Sequence, residues 1–114
     1  MNIEDLREIC LSFPHVTEDM KWGENLCLLV GNKIFVLFSL DESPVTAAFK
    51  VTGEDFDELI MRHGFRQASH FAKKKWIALN DIGLLGKEEW TDLLKKSYDL
   101  VWEGLPKKIT DQLK

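Results

Sequence analysis

The sequence has only two cysteines and no long hydrophobic run. Cys10 and Cys27 lie outside any CxxC motif or Cys/His spacing typical of a metal ligand set. This excludes a disulfide-stapled scaffold and a zinc module. We interpret both residues as reduced, small hydrophobes, with a disulfide between them or a reactive thiol as the alternatives. No apolar run approaches the roughly 20 residues of a membrane span, which argues against a membrane protein.

The N-terminus lacks the features of a targeting segment. Its first residues, MNIEDLREIC, carry acidic side chains where a secretory or organellar leader is basic and apolar. Together with the reduced cysteines, this predicts a cytoplasmic protein. Because 45% of the 114 residues are hydrophobic, we expect residues 1–114 to fold as one domain that buries a core without disulfides.

Catalytic and metal-binding motifs are also missing. No serine lies in a GxSxG context, and neither a glycine-rich phosphate loop nor an HExxH motif occurs. His63 and His70 lie seven residues apart without a third ligand nearby, so a metal site is not expected. The sequence therefore predicts a protein without enzymatic activity, bound metal or cofactor.

One stretch of the chain, residues 62–76 (RHGFRQASHFAKKKW), lacks acidic residues altogether. It holds five of the fifteen Lys and Arg residues, whereas the rest of the chain has ten Lys and Arg against nineteen Asp and Glu. A local positive potential attracts anions even when the net charge, −4 here, repels them. The charge segregation indicates a surface for an anionic ligand.

The first half of the chain predicts a helix followed by strands. Asn2 opens an N-capped amphipathic helix that Pro14 ends. Residues 15–25 are polar without a helical period, and we interpret them as a loop or the approach to a strand. Apolar runs at 26–30 and 33–40 flank a Gly-Asn pair, which favours the positive φ of a tight hairpin turn.

The second apolar run contains IFVLF, which has no polar alternation. This predicts a central strand that is covered on both faces or shielded on one face by a partner. Residues 45–51 alternate apolar and polar side chains as a half-buried strand does.

The second half predicts helices around a short pair of strands. A capping pattern at Thr52 opens a helix, and extended segments follow at 65–68 and 75–79. Apolar residues at three- and four-residue spacing over 90–105 predict a long amphipathic helix, and Pro106 begins a short final one. The predicted order is α-β-β-β-α-(β)β-α-α. We therefore expect an α+β, two-layer sandwich with an antiparallel sheet backed by helices.

The candidate binding residues lie in and around the KKKW run. Successive side chains of a strand alternate between faces, so three adjacent lysines share one side only if they lie in a turn. We predict phosphate contacts from Lys73, Lys74, Lys75 and Arg66, with His70 and Lys50 as supporting donors. The alternative is a solvated edge whose lysines block strand-to-strand aggregation. Phe71 and Trp76 either stack on unpaired bases or pack in the core.

Five separated segments, taken in order, carry a family resemblance. They are KWGEN, GNKIFVLF, AAFKVTGEDFDELI, ASHFAKKKWIAL and LLKKSYDLVWEGLPKK, and they resemble the MmcQ/YjbR family of small bacterial proteins over nearly the whole chain. The resemblance implies a CyaY-like fold, similar to that of type III secretion chaperones. It also implies DNA binding through a double-wing arrangement of strands and loops, without a typical enzymatic activity or cofactor.

Two functional hypotheses follow. The first is a cytoplasmic protein that binds duplex DNA weakly and without sequence preference, through phosphate contacts from the acid-free stretch. The second is a protein or peptide interaction module of secretion-chaperone-like architecture that binds no nucleic acid. The apolar IFVLF run and the acidic remainder of the chain favour this second hypothesis.

Overall fold

A six-stranded antiparallel sheet organises the structure, a computed structural model that describes residues 1–69, 71 and 73–114. The strands of the described chain are β1 (Val16–Lys21), β2 (Asn25–Val30), β3 (Lys33–Ser39), β4 (Thr46–Lys50), β5 (Phe65–Gln67) and β6 (Trp76–Leu79). Their order across the sheet is β1-β2-β3-β4-β6-β5, and all neighbours are antiparallel. Consecutive strands thus lie side by side except where β6 separates β4 from β5.

Helices flank this sheet, which confirms the predicted α+β class. They are α1 (Ile3–Leu11), α2 (Gly53–Leu59), α3 (Lys87–Glu103) and α4 (Lys107–Leu113), with a 3-10 turn at Ile82–Leu84. A capping box between Asn2 and Asp5 starts α1, since each side chain accepts a hydrogen bond from the other's backbone N–H. Within the described chain, no helix is both long and apolar enough to cross a membrane.

The main core lies between the sheet and the helices. Trp90 of α3 is fully buried against Phe38 and Phe49, at ring-centroid distances of 6.0 and 5.5 Å. Its indole N–H donates to the carbonyl of Ile82 at 2.9 Å, so this large side chain leaves no polar atom unpaired. Cys10 and Cys27 are both buried, free thiols.

Strand β1 forms in a segment for which the sequence predicts a loop or the approach to a strand. It pairs with β2 along all six of its residues, from Val16 opposite Val30 to Lys21 opposite Asn25. Most of its side chains are exposed. An edge strand of this kind is held by backbone hydrogen bonds to its neighbour, and therefore needs no apolar alternation to form.

The sheet also has an outer face, turned away from the main core. Along β4, Ala47 and Phe49 belong to the core, whereas Ala48 packs in a second, small cluster with Ala68, Trp76 and Ala78. Three half-buried side chains, Ile34, Leu37 and Phe71, pack against this outer cluster. The absence of polar alternation in IFVLF is thus explained: β3 is an interior strand with apolar contacts on both faces.

Candidate functional site

The three adjacent lysines lie in the turn that leads into β6, where their side chains are exposed. Lys74 has a positive φ of 61°, and its N–H donates to the side-chain oxygen of Gln67 at 2.9 Å. The carbonyl of Lys75 accepts a hydrogen bond from the N–H of Val51, also at 2.9 Å. The backbone of this turn is therefore fixed by two contacts, while the ammonium groups remain in solvent.

Lys50 lies at the same end of the sheet as these lysines. It is the last residue of β4 and is paired with Trp76, the residue directly after Lys75. Lys33, at the start of β3, lines a shallow groove of about 440 Å³ together with Lys50 and Phe71. Lys33 is not among the cations predicted from the sequence to contact phosphates. Its position directly after the Gly-Asn hairpin turn was the available signal, because that turn and the end of β4 lie at one end of the sheet.

Arg66 extends the cationic surface across the outer face. It is exposed on the edge strand β5 and pairs with Ala78. Its Nε donates to the side-chain oxygen of Asn80 at 3.0 Å, which orients the guanidinium. Its two terminal nitrogens donate to no other acceptor among the described residues, and each can still form hydrogen bonds. Arg66 and the lysine turn therefore flank the same strand, β6.

The predicted cations have no acidic partners among the described residues. The structure places Lys50, Arg66, Lys73, Lys74 and Lys75 outside every ion pair of the described chain. Arg62 behaves differently, since its two terminal nitrogens contact Glu89 at 2.6 and 3.5 Å. The hydrogen bond from Arg62 lowers the pKa of Glu89. His70, the remaining predicted donor, lies outside the described residues.

A second feature of the outer face is a groove of about 630 Å³, here named the outer groove. It is lined by Trp22, Leu37, Ala48, Arg66, Phe71 and Ala78, among others. Four of these residues form one continuous row across β3, β4, β6 and β5, in which Leu37 pairs with Ala48, Ala48 with Ala78 and Ala78 with Arg66. At about 4.8 Å per strand, the row is about 15 Å long.

Aromatic rings stand at the two ends of the outer groove. Trp22, in the turn between β1 and β2, is 71% exposed. Phe71, in the loop between β5 and β6, stacks on Trp76 with ring centroids 4.1 Å apart and an angle of 18° between the planes. Trp76 is therefore a packing residue, which was the alternative to base stacking that the sequence offered. It packs in the outer cluster and not in the main core.

The described lining of the outer groove includes Arg66 and two aromatic rings and contains no Asp, Glu, His or Cys. No cluster of three or more His, Cys, Asp or Glu side chains able to hold a metal occurs in the part of the chain that the structure describes. Burial raises the pKa of the Cys10 thiol to about 12, so it is not a nucleophile at neutral pH. Such a surface can bind anions and planar rings.

Comparisons with known proteins give a family and a fold. The YjbR family model matches residues 11–100. The crystal structure of the Deinococcus radiodurans protein DR2400, which has a DUF419 domain, superposes with a TM-score of 0.86 at 28% identity, over 98% of this chain and 87% of that one. A Pseudomonas syringae protein shares the fold, with a TM-score of 0.69 and 20% identity over 88% of this chain and 98% of that one. No curated protein matches.

Proposed function

This chain belongs to the YjbR family, and from that premise we propose that it binds DNA weakly and non-specifically through phosphate contacts. The contacts come from Lys73, Lys74, Lys75 and Arg66, with Lys50 as a supporting donor. His70, which lies outside the described residues, stays a predicted donor. We assign no catalytic residue, metal or cofactor to this function.

The observation that carries the proposal is the lysine turn. Its three ammonium groups are exposed and unpaired with carboxylates among the described residues, although Asp and Glu outnumber Lys and Arg in the chain as a whole. Because the three lysines lie in a turn and not in a strand, their side chains do not have to alternate between the two faces of the sheet. This favours a common direction for the three side chains. Hydrogen bonds from Lys74 to Gln67 and from Val51 to Lys75 hold its backbone in place. Such a fixed cationic turn suits a phosphate backbone.

The rest of the molecule limits the affinity. The net charge is −4, and outside residues 62–76 the chain carries nineteen Asp and Glu against ten Lys and Arg. A polyanion therefore approaches the cationic end of the outer face and is repelled elsewhere. We expect dissociation constants on the order of 10⁻⁴ to 10⁻⁶ M at physiological salt, the range of non-specific binding.

A protein or peptide interaction module is the second candidate function. The observation that favours it is the apolar floor of the outer groove, where Leu37, Ala48 and Ala78 face a cavity of pocket size. In that case the lysines serve to keep the sheet edge soluble. This candidate predicts no DNA binding by the purified protein.

The test compares two triple variants of equal charge. Lys73→Gln/Lys74→Gln/Lys75→Gln removes the three cations of the turn, while Lys87→Gln/Lys95→Gln/Lys96→Gln removes three exposed lysines of α3. Binding to a labelled DNA duplex is measured for both by fluorescence anisotropy at several salt concentrations. Each phosphate contact contributes about −0.9 to the slope of log K against log salt. We therefore expect the slope of the turn variant to be less negative than that of the wild-type protein by about 2.7.

The α3 variant is the matched control, because it loses the same three positive charges as the turn variant. The lost charges lie on a helix that packs against the core face of the sheet, away from the outer face. It should bind DNA as the wild-type protein does, or slightly more weakly. Equal losses in both variants would mean that only net charge matters. Unchanged binding by a folded turn variant would refute the proposed contacts.

A further inference from the structure

We infer that the outer groove binds unpaired nucleobases, so that single-stranded nucleic acid binds this protein more tightly than duplex does. The inference rests on the proposed function, because it names the form of nucleic acid that the same cationic surface accepts. Bases of a duplex are already stacked on both sides, whereas an unpaired base can lie against an aromatic side chain.

The groove has the shape and lining that a planar ring requires. Its floor is built from small side chains, because Ala48 and Ala78 pair directly at its centre. Trp22 lines the groove beside Asn25, at the Thr46 end of β4, and Phe71 lines it beside Trp76, at the Lys50 end. Trp22 is 71% exposed, an unusual position for the largest apolar side chain unless it contacts a partner. A cavity of about 630 Å³ between aromatic ends lies within the size range of ligand sites.

The Trp22 end is held in place by its turn. Trp22 has a positive φ of 48° and is followed by Gly23 with a φ of 88°. The side-chain amide of Asn25 donates to the carbonyl of Trp22 at 2.8 Å, and the hydroxyl of Ser39 donates to the side-chain oxygen of Asn25 at 2.7 Å. This chain of hydrogen bonds ties the turn to β3, so little backbone freedom is lost when the indole ring contacts a ligand.

The Phe71 end is ordered by stacking. One face of the Phe71 ring is covered by Trp76 at 4.1 Å, and Trp76 itself is buried to 8% exposure. Because the ring lies against a fixed neighbour, its remaining surface is a preformed wall of the groove. Base stacking on such walls tolerates every base, which agrees with non-specific binding.

The charges of the groove lining and of the lysine turn favour nucleic acid over a peptide as the ligand. The described lining of the groove includes Arg66 and contains no Asp or Glu. Phe71 lies in the same loop as Lys73, Lys74 and Lys75, so a base at this wall brings its phosphates to the lysine turn. Aromatic groups beside uncompensated cations are the combination that single-strand binding surfaces use.

The experiment compares the affinity of the protein for a labelled oligothymidine with its affinity for a duplex of equal length. A length of about 12 nucleotides lies within the usual site size of single-strand binding proteins. The wild-type protein should bind the single strand more tightly and show quenched tryptophan fluorescence. Trp22→Ala should weaken single-strand binding by about 5- to 150-fold, which corresponds to the loss of one stacked base. Trp22→Phe, which keeps an aromatic ring, should restore most of the affinity. Duplex binding should change little in either variant.

Met61→Ala is the matched control, since Met61 is an exposed apolar residue outside the groove, at 84% exposure. It should bind both oligonucleotides as the wild-type protein does. If Trp22→Ala binds the single strand unchanged, the groove does not bind bases, while the proposed function stands as long as the lysine-turn variant loses duplex binding. If the wild-type protein binds neither oligonucleotide, both proposals are wrong.

Discussion

The hydroxyl of Ser97, on α3, donates a hydrogen bond of 2.6 Å to the backbone carbonyl of Phe35, on β3. The same oxygen accepts a hydrogen bond of 3.1 Å from the N–H of Lys50, on β4. The paired register of these strands ends one step earlier, at Val36 opposite Phe49. A buried side chain of the helix layer thus joins two strands where their own pairing stops, and it fixes the backbone of Lys50 at the cationic end of the sheet.

Replacing this hydroxyl should destabilise the fold. Ser97→Ala leaves the Phe35 carbonyl and the Lys50 N–H without their partner in a buried site, which costs about 1–3 kcal/mol of unfolding free energy. Thr91→Ala, at an exposed position of the same helix, should change it by less than about 0.5 kcal/mol. Urea unfolding of both variants checks this. Similar stabilities would show that water replaces the hydroxyl.

The ion pair between Arg62 and Glu89 should make stability depend on pH in the acid range. The hydrogen bond from Arg62 lowers the pKa of Glu89 in the folded state. Stabilisation is therefore present above the ordinary glutamate pKa of about 4.3 and is lost as the pH falls through the folded-state value. Because both side chains are 40% or more exposed, Glu89→Gln should cost only about 0.2–1 kcal/mol at neutral pH.

The control for this measurement is Glu88→Gln, which removes a charge from the same first turn of α3 but forms no ion pair among the described residues. Unfolding curves at neutral and acid pH should show a loss for Glu89→Gln that exceeds the loss for Glu88→Gln and shrinks towards acid pH. Equal losses for both would attribute the effect to the helix dipole alone.

The β2–β3 turn should tolerate no side chain at Gly31. Its φ is 57°, and an added Cβ would approach the Cδ1 atom of Leu105 to 2.7 Å. Gly31→Ala should therefore lower the unfolding free energy by about 1–3 kcal/mol, the cost of a strained backbone. Gly53→Ala, in the first turn of α2 with no atom near the new methyl group, should leave it unchanged or raised. Thermal unfolding compares the two variants, and a neutral Gly31→Ala would contradict the expected crowding.

Cys10 should be unreactive in the folded protein. It is fully buried, and burial raises the pKa of its thiol to about 12, so the thiolate is scarce at neutral pH. Mass spectrometry after treatment with iodoacetamide should show no alkylation at Cys10 before denaturation. Thr91→Cys supplies an exposed thiol in the same molecule as the positive control. If Cys10 were alkylated as fast as the cysteine introduced by Thr91→Cys, the result would support the reactive-thiol alternative.

The elements that sequence reasoning predicted are those whose signal is local. The hairpin around Gly31 and Asn32 is confirmed because both residues adopt the positive φ that their types favour. The long helix is confirmed because its buried residues, such as Trp90 and Leu94, recur at helical spacing. These features depend only on residues that are close together in the sequence.

Features set by tertiary contacts could not be predicted. Strand β1 forms although its side chains are mostly exposed, because its partner β2 supplies the backbone hydrogen bonds. Arg62 is one of the five cations in the acid-free stretch, yet it pairs with Glu89, 27 residues away along the chain. Only the packing of α3 beside that segment reveals this pair.

The outer groove was likewise hidden in the sequence. Trp22 lies in a polar segment and Phe71 is 49 residues further on, and their relation depends on the register of five strands. The row from Leu37 to Arg66 exists because β6 lies between β4 and β5, an order that no local pattern encodes. Lys73, Lys74 and Lys75 were accessible to sequence reasoning because they are adjacent in the chain.

The most direct test is the salt dependence of duplex DNA binding by the wild-type protein. Contacts from Lys73, Lys74, Lys75 and Arg66 to four phosphates should give a straight line of log K against log salt with a slope of about −3.6. A slope near zero, or no complex even at the lowest salt concentration, would show that these cations do not contact DNA.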